Sequence, residues 1–167
     1  MAMKILVLSD SHAGLNFMRY AIKKVNPNVV IHLGDFYEDA QAVEEENPWI
    51  AFHMVPGNCD RYRMTRPAAE TLCYDVCGVR MFMTHGHNHG VKLTLSTLLR
   101  YARDMGAKAA LFGHTHCAYC NQETDGLWVM NPGACGSYSG SVGLMEVQDK
   151  RIVDCKILRQ EDLEEMV

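Results

Sequence analysis

The sequence predicts a single α/β domain over residues 1–167. Three observations carry that expectation. Short apolar runs such as Ile5–Leu8 and Val29–Leu33 suit strands buried on both faces. Apolar residues between them recur at helical spacing. In the second half, apolar runs flank turn dipeptides in the manner of hairpins. A length of 167 residues is about one domain, and it can bury a core without staples.

Taken in order, Ile5–Leu8 is the first strand. Phe17, Met18, Ala21, Ile22 and Val25 come next at helical spacing, and Asn26-Pro27 ends that helix. Val29–Leu33 is the second strand, Glu38–Glu46 a helix stopped by Asn47-Pro48, and Ile50–Val55 a third buried strand. Arg61–Glu70 is a polar loop containing Pro67. Thr71–Val76 and Val79–Met83 pair as a hairpin turning at Cys77-Gly78. Leu95, Leu98, Leu99, Ala102 and Met105 line one helix face, with Gly106 as its stop. Ala109–Phe112 is the next strand. Asp125-Gly126 turns a hairpin of Ala118–Glu123 and Leu127–Met130, and Asp149-Lys150 turns another of Val142–Val147 and Arg151–Leu158. The acidic tail Gln160–Val167 reads as a short helix or a frayed end.

Composition narrows the function classes. Apolar residues make up 48% and charged residues 22%, which is globular rather than disordered or fibrous. No apolar run approaches the ~18 residues of a membrane span. Only four apolar residues separate Lys4 from Ser9-Asp10, too few for a secretion signal. A net charge of −4 without a basic stripe argues against duplex nucleic acid as a partner. The cysteines number seven, which reads as reduced thiols in a cytoplasmic protein. Cys117 and Cys120 form a C-x-x-C, but a spacing of three along a strand points to opposite faces. Most cysteines, like Met54, Met81 and Met83, are therefore expected to be core positions.

The informative pattern lies at the carboxyl end of each buried strand. Ile5–Leu8 leads into Ser9-Asp10-Ser11-His12, Val29–Leu33 into Gly34-Asp35, and Ile50–Val55 into Pro56-Gly57-Asn58-Cys59-Asp60. Val79–Met83 leads into Thr84-His85-Gly86-His87, and Ala109–Phe112 into Gly113-His114-Thr115-His116. Ligand sites of open α/β sheets lie beyond the carboxyl ends of the strands, so these clusters are expected to share one crevice. Asp and His supply hard oxygen and borderline nitrogen, a shell for Mn, Fe, Zn or Mg. Asp10 and His12, like His114 and His116, are two residues apart, which predicts projection to one side. Asp35 has two oxygens with which to bridge. The donors exceed what one ion takes, and two ions about 3.5–4 Å apart clamp in-line displacement at phosphorus.

This arrangement resembles the calcineurin-like metallophosphoesterases. Their D-x-H, G-D, G-N, His and G-H-x-H signature is matched by Asp10-Ser11-His12, Gly34-Asp35, Gly57-Asn58, His85 and Gly113–His116. The resemblance covers residues 3 to about 134. Chain size and Gly57-Asn58-Cys59-Asp60 look like the small YfcE-type phosphodiesterase subgroup. The match implies a four-layer α/β/β/α sandwich with two mixed sheets between helices. It also implies two divalent ions, with manganese expected first and iron, zinc, nickel, cobalt or magnesium as substitutes. One ion would take Asp10, His12, Asp35 and His116, and the other Asp35, Asn58, His85 and His114. A water or hydroxide bridging them would attack a small phosphate ester in line, as in a phosphodiesterase.

One departure from the family pattern is Cys59, where larger members carry a His that serves the leaving group. A thiol with a pKa near 8.5 is a modest acid. Asp60 would have oriented that His. His87, just past His85, is the other candidate for the catalytic acid and for phosphate contact, together with Asn58. Arg61 and Arg63 are candidate phosphate clamps. His32 and His53 are expected to be structural, His89 to be solvent or packing, and Asn131-Pro132-Gly133 a turn near the site. The competing expectation is a non-catalytic metal-binding scaffold, as in the retromer subunit of the same fold. A homo-oligomer is compatible with the sequence, and no membrane partner is expected.

Overall fold

Alternate residues of β1 (Met3–Leu8) enter two different cores. Ile5 and Val7 pack with Ile31, Met81, Met83 and Leu111, while Leu6 and Leu8 pack with Met18, Ile22, Val30 and Leu144. A strand apolar on both faces needs a layer on each side. The structure is a computed structural model describing residues 1–136 and 140–166. Val167, the end of the expected tail, lies outside the described residues.

Two five-stranded mixed sheets supply the inner layers. Sheet 1 runs β10-β9-β1-β2-β3, with β1, β2 (Val29–His32) and β3 (Ala51–Met54) parallel and β9 (Ser141–Gln148) antiparallel to β1. Sheet 2 runs β4-β5-β6-β8-β7, with β5 (Val79–Thr84), β6 (Ala109–Leu111) and β8 (Trp128–Asn131) parallel. Three of the four edge strands are antiparallel additions: β10 (Arg151–Arg159), β4 (Thr71–Val76) and β7 (Tyr119–Gln122). Methionines 81, 83, 130 and 145 fill the space between the sheets, where an unbranched side chain adapts to irregular gaps. Helices α1 (Leu15–Val25) and α2 (Tyr37–Glu46) cover sheet 1 with the short α4 (Gln160–Glu165), and α3 (Ser96–Asp104) covers sheet 2. These are the four layers expected. Burying each of the fully enclosed Leu and Ile side chains contributes on the order of 2 kcal/mol.

Three expectations need correction. β3 is not enclosed on both faces: Ala51 is exposed and Phe52, His53 and Met54 are half-buried, because β3 is the last strand of sheet 1. Met105 leaves the apolar face of α3, since the helix ends at Asp104 and Met105 is 44% exposed in the turn. Of the cysteines only Cys135 is buried; Cys59 and Cys117 are exposed and the rest lie between. Among the described residues no helix is long and apolar enough to cross a membrane.

The C-x-x-C spacing misses the thiol contact that the fold creates. Cys120 on β7 and Cys155 on β10 face each other across the two sheet edges, with Sγ atoms 3.3 Å apart. The hydrogen bond between the two thiols lowers the Cys120 pKa and raises that of Cys155. Diamide treatment should therefore join these two cysteines first, seen as a linked peptide pair by mass spectrometry. Preferential linkage of any other pair would mean that β7 and β10 do not meet as described.

Candidate metal centre

The seven predicted donors lie just past the carboxyl ends of five parallel strands, β1, β2, β3, β5 and β6, and meet in one crevice between the sheet ends. The route to that convergence differs from strand alternation. β1 ends at Leu8 and β6 at Leu111, so Asp10, His12, His114 and His116 lie beyond the pleat. Each of them, and Asp35, has a left-handed backbone, with φ of 55°, 42°, 68°, 60° and 58°. That conformation costs about 1–2 kcal/mol for a residue with a Cβ. It turns the chain sharply back, so both members of each D-x-H or H-x-H pair face the crevice.

Asp10, His12, Asp35 and His116 form one donor group, with one ligand atom from each lying within 4.8 Å of all the others. Asp10 is fully buried. Its Oδ2 accepts the Ser9 hydroxyl at 2.6 Å and the His114 N–H at 3.1 Å. Its Oδ1 is buried without a hydrogen bond, 3.0 Å from His116 Nε2 and 3.9 Å from His12 Nε2. An orphaned carboxylate oxygen is costly unless a cation is its partner. Two carboxylates with two imidazoles suit a divalent transition metal, so the residues fit the ion.

A second set lies against the first. His85 is fully buried, and its Nδ1–H donates to the Leu33 carbonyl at 2.7 Å. That leaves Nε2 as the lone-pair nitrogen. It faces Asn58 Oδ1 at 3.1 Å, Asp35 Oδ2 at 3.4 Å and Asp10 Oδ1 at 3.9 Å. Acceptors face acceptors here, an arrangement that either a cation or a proton resolves. Against the opposing effect of burial, the neighbouring carboxylates raise the His85 pKa. The His114 ring lies 5.1 Å from that of His85, and its pKa is lowered by burial and then by His85. Asp35 stands between the sets. Its Oδ1 accepts the Cys59 N–H at 2.9 Å, while Oδ2 is 4.0 Å from His12 and 3.4 Å from His85. Burial alone would raise the Asp35 pKa, but His85 and the Cys59 amide hold it well below the carboxylate range.

Several supporting residues had no strong signal in the sequence. Gly34 N–H donates to His32 Nδ1, so His32 Nε2–H faces Ser11 Oγ at 3.2 Å, and the Ser11 hydroxyl donates to Asp39 at 2.7 Å. This buried chain ties the turns after β1 and β2 to α2. Asn131 donates to the Gly113 carbonyl and to Thr115 Oγ1, holding the loop that carries His114 and His116. It is therefore a support of the site and not only a turn residue.

The remaining candidates separate. Asp60 is buried with both oxygens occupied by backbone, Tyr37 N–H at 2.9 Å and Gly57 N–H at 2.8 Å. It braces the Asn58 loop against the start of α2 rather than orienting a catalytic group. Arg63 stacks on Phe36 at 4.0 Å and pairs with Glu38, so its charge is spent away from the donors. Arg61 instead lines a cleft of ≈ 580 Å³ with Asn58 and His87. The Cys59 thiol is exposed, and burial first and Asp35 second raise its pKa, making it a weaker acid still. His87 has its pKa lowered by burial and then by His85. His89 packs edge-on against Phe82 and Tyr101, and His53 bonds the Tyr74 hydroxyl at 2.8 Å.

Comparison with known proteins gives the same assignment. Residues 3–150 match the calcineurin-like phosphoesterase superfamily domain. The chain belongs to this superfamily. Among its metallophosphoesterase relatives, the probable metallophosphoesterase YsnB of Bacillus subtilis is 32% identical over 136 residues, covering 79% of this chain and 75% of that one. The phosphodiesterase MJ0936 of Methanocaldococcus jannaschii is 29% identical over 166 residues, covering 89% and 95%. Those small homologues place the chain in the YfcE-type subgroup. A predicted phosphoesterase of Streptococcus pneumoniae shares the fold with a TM-score of 0.75 at 21% identity, covering 96% of this chain and 91% of that one. Vps29 of Entamoeba histolytica, solved with zinc, shares it at 0.72 and 20%, covering 94% and 98%.

Two predictions test how this metallophosphoesterase holds its donors. A Cβ on Gly57 would lie 2.1 Å from Asp35 Oδ1 and 2.5 Å from Asp35 N. Gly57→Ala must displace that carboxylate, and manganese affinity by calorimetry should fall about 10–100-fold. Unchanged affinity would remove Asp35 from the site. The second concerns His32, whose pKa is pushed down to about 3 by burial and then by His85. In the unfolded chain it titrates near 6.5. Between those values the unfolded state binds more protons, so stability is intact above about pH 6.5 and is lost as pH falls toward 3. His32→Asn should flatten the acid slope of Tm in chelator-treated protein, and an unchanged slope would assign the effect elsewhere.

Proposed function

We propose that this protein is a binuclear metal-dependent phosphodiesterase acting on a small phosphate ester. One observation carries the reading: the buried Asp35 Oδ2 lies 4.0 Å from His12 Nε2, in the group with Asp10 and His116, and 3.4 Å from His85 Nε2, which Asn58 Oδ1 also faces. Bound divalent ions would activate water at neutral pH and draw charge from the phosphoryl oxygens. The protein's own part is positional. Ser9 and the His114 amide fix Asp10, the Cys59 amide fixes Asp35, and Leu33 fixes the His85 tautomer. Asn58 and His87 sit where the crevice opens into the Arg61 cleft, which leaves room for a second ester substituent. His87 is the group we assign to the leaving-group proton, since it lines the cleft with Asn58 and its ring lies 5.5 Å from that of the donor His85. We further take manganese as the working metal and the cytoplasm as the compartment, with a homo-oligomer allowed.

The alternative is a metal-binding scaffold. It is favoured by one observation, the fold shared with Vps29. Metal uptake is common to both readings, so turnover must separate them. Manganese-loaded protein should hydrolyse bis(p-nitrophenyl) phosphate, and failure with every divalent ion would favour the scaffold. Asp35→Asn should lower occupancy by metal analysis and nearly abolish turnover. Two tightly held ions with near-normal rates in that variant would falsify the bridge.

A leaving-group series tests the proton donor. General acid help is worth about 10²–10⁴-fold, and aryl leaving groups need little of it. His87→Ala should slow alkyl esters by that factor and barely affect nitrophenyl esters. Equal losses on both would exclude His87 as the acid. Cys59→His would then raise the alkyl rate if the thiol position is the productive one.

A further inference from the structure

The cleft that opens beside Asn58 and His87 contains two guanidinium groups that the metal centre does not use. Arg61 and Arg66 both line it. Elsewhere on the surface Arg19, Arg63, Arg80 and Arg103 each pair with a carboxylate. No carboxylate pairs with Arg61 or Arg66 among the described residues. Arg100, Arg151 and Arg159 share that property, but they do not line a cleft that includes a metal donor. Glu70 is the acid on this cleft's wall, and its Oε2 accepts from Asn88 at 2.6 Å. Two fixed positive charges against one negative leave a net positive cleft.

We propose that Arg61 and Arg66 bind a second phosphate group of the substrate, while the scissile phosphate lies at the metal donors. This rests on the phosphodiesterase reading for where the scissile group sits. The substrate class is thereby narrowed to phosphate diesters that carry a further phosphate on the same molecule. A guanidinium fork matches phosphate oxygens in a bidentate manner, and both groups lack an internal carboxylate to compete for them. A volume of ≈ 580 Å³ is ample for a phosphate and a short spacer. Pro56, Tyr62 and Pro67 give the spacer an apolar wall, with the Tyr62 ring 90% exposed. The sequence-based choice of Arg63 as clamp is replaced by Arg66, because Glu38 already occupies Arg63.

The test is calorimetric binding of hexyl phosphate and hexane-1,6-diol bisphosphate to manganese-supplemented protein. The bisphosphate should bind about tenfold tighter or better, beyond the twofold statistical advantage of two ends. Arg61→Ala/Arg66→Ala should remove that preference while hexyl phosphate still binds. Equal affinity for the two ligands in the wild type overturns the proposal. So does a preference that survives the double variant, or a loss of both affinities together, which would mark a structural role. Turnover of bis(p-nitrophenyl) phosphate on the same preparation keeps the two claims apart. Preference without turnover sinks only the catalytic reading, and turnover without preference sinks only the second phosphate site.

Discussion

The Asp35 carboxylate is buried where the ends of both sheets meet, with one oxygen held by the Cys59 amide and the other turned toward His12 and His85. Cys59 can deliver its amide only because Gly57 has no Cβ to strike Asp35. The Gly57 loop is in turn held by Asp60, which also takes the first N–H of α2. Because Asp35 carries its charge inside the protein, the surroundings must supply either metal or protonated imidazole. His85 stands nearest, 3.4 Å away, and the neighbouring carboxylates raise its pKa against the opposing effect of burial.

The conformational cost of the site is concentrated in five donor residues with left-handed backbones. Such strain persists only where the surrounding structure fixes it. Here the fixing comes from two directions. Below, the β1, β2, β5 and β6 strands are packed between full layers, so their ends cannot shift. Above, Ser11–Asp39, His32–Gly34 and Asn131–Gly113 tie the turns to one another. The site is therefore preformed, and metal affinity is a property of the whole loop set.

Much of this was legible in the sequence, and the reason is chemical. Apolar runs that lead into Asp, Asn or His encode both a buried strand and a polar crevice, so the donors and the layers could be read together. What could not be read was set by long-range packing. β3 has the apolar composition of an enclosed strand but lies at an edge. Asp60 and Arg63 have the chemistry of site residues, yet their partners are a helix start and Glu38. Cys120 meets Cys155, not Cys117, because sheet edges distant in sequence come together. Asp10 and His12 do come together, but through left-handed turns past the strand end and not through strand alternation.

In the proposed centre Asp35 joins two ions. Electron paramagnetic resonance of protein loaded with two equivalents of manganese(II) tests it directly, because exchange coupling between manganese ions runs through a shared bridging ligand, whereas separate ions interact only through space. A bridged pair predicts an exchange-coupled spectrum whose hyperfine spacing is half that of isolated manganese, lost in Asp35→Asn. A six-line spectrum of isolated manganese at full loading would contradict it.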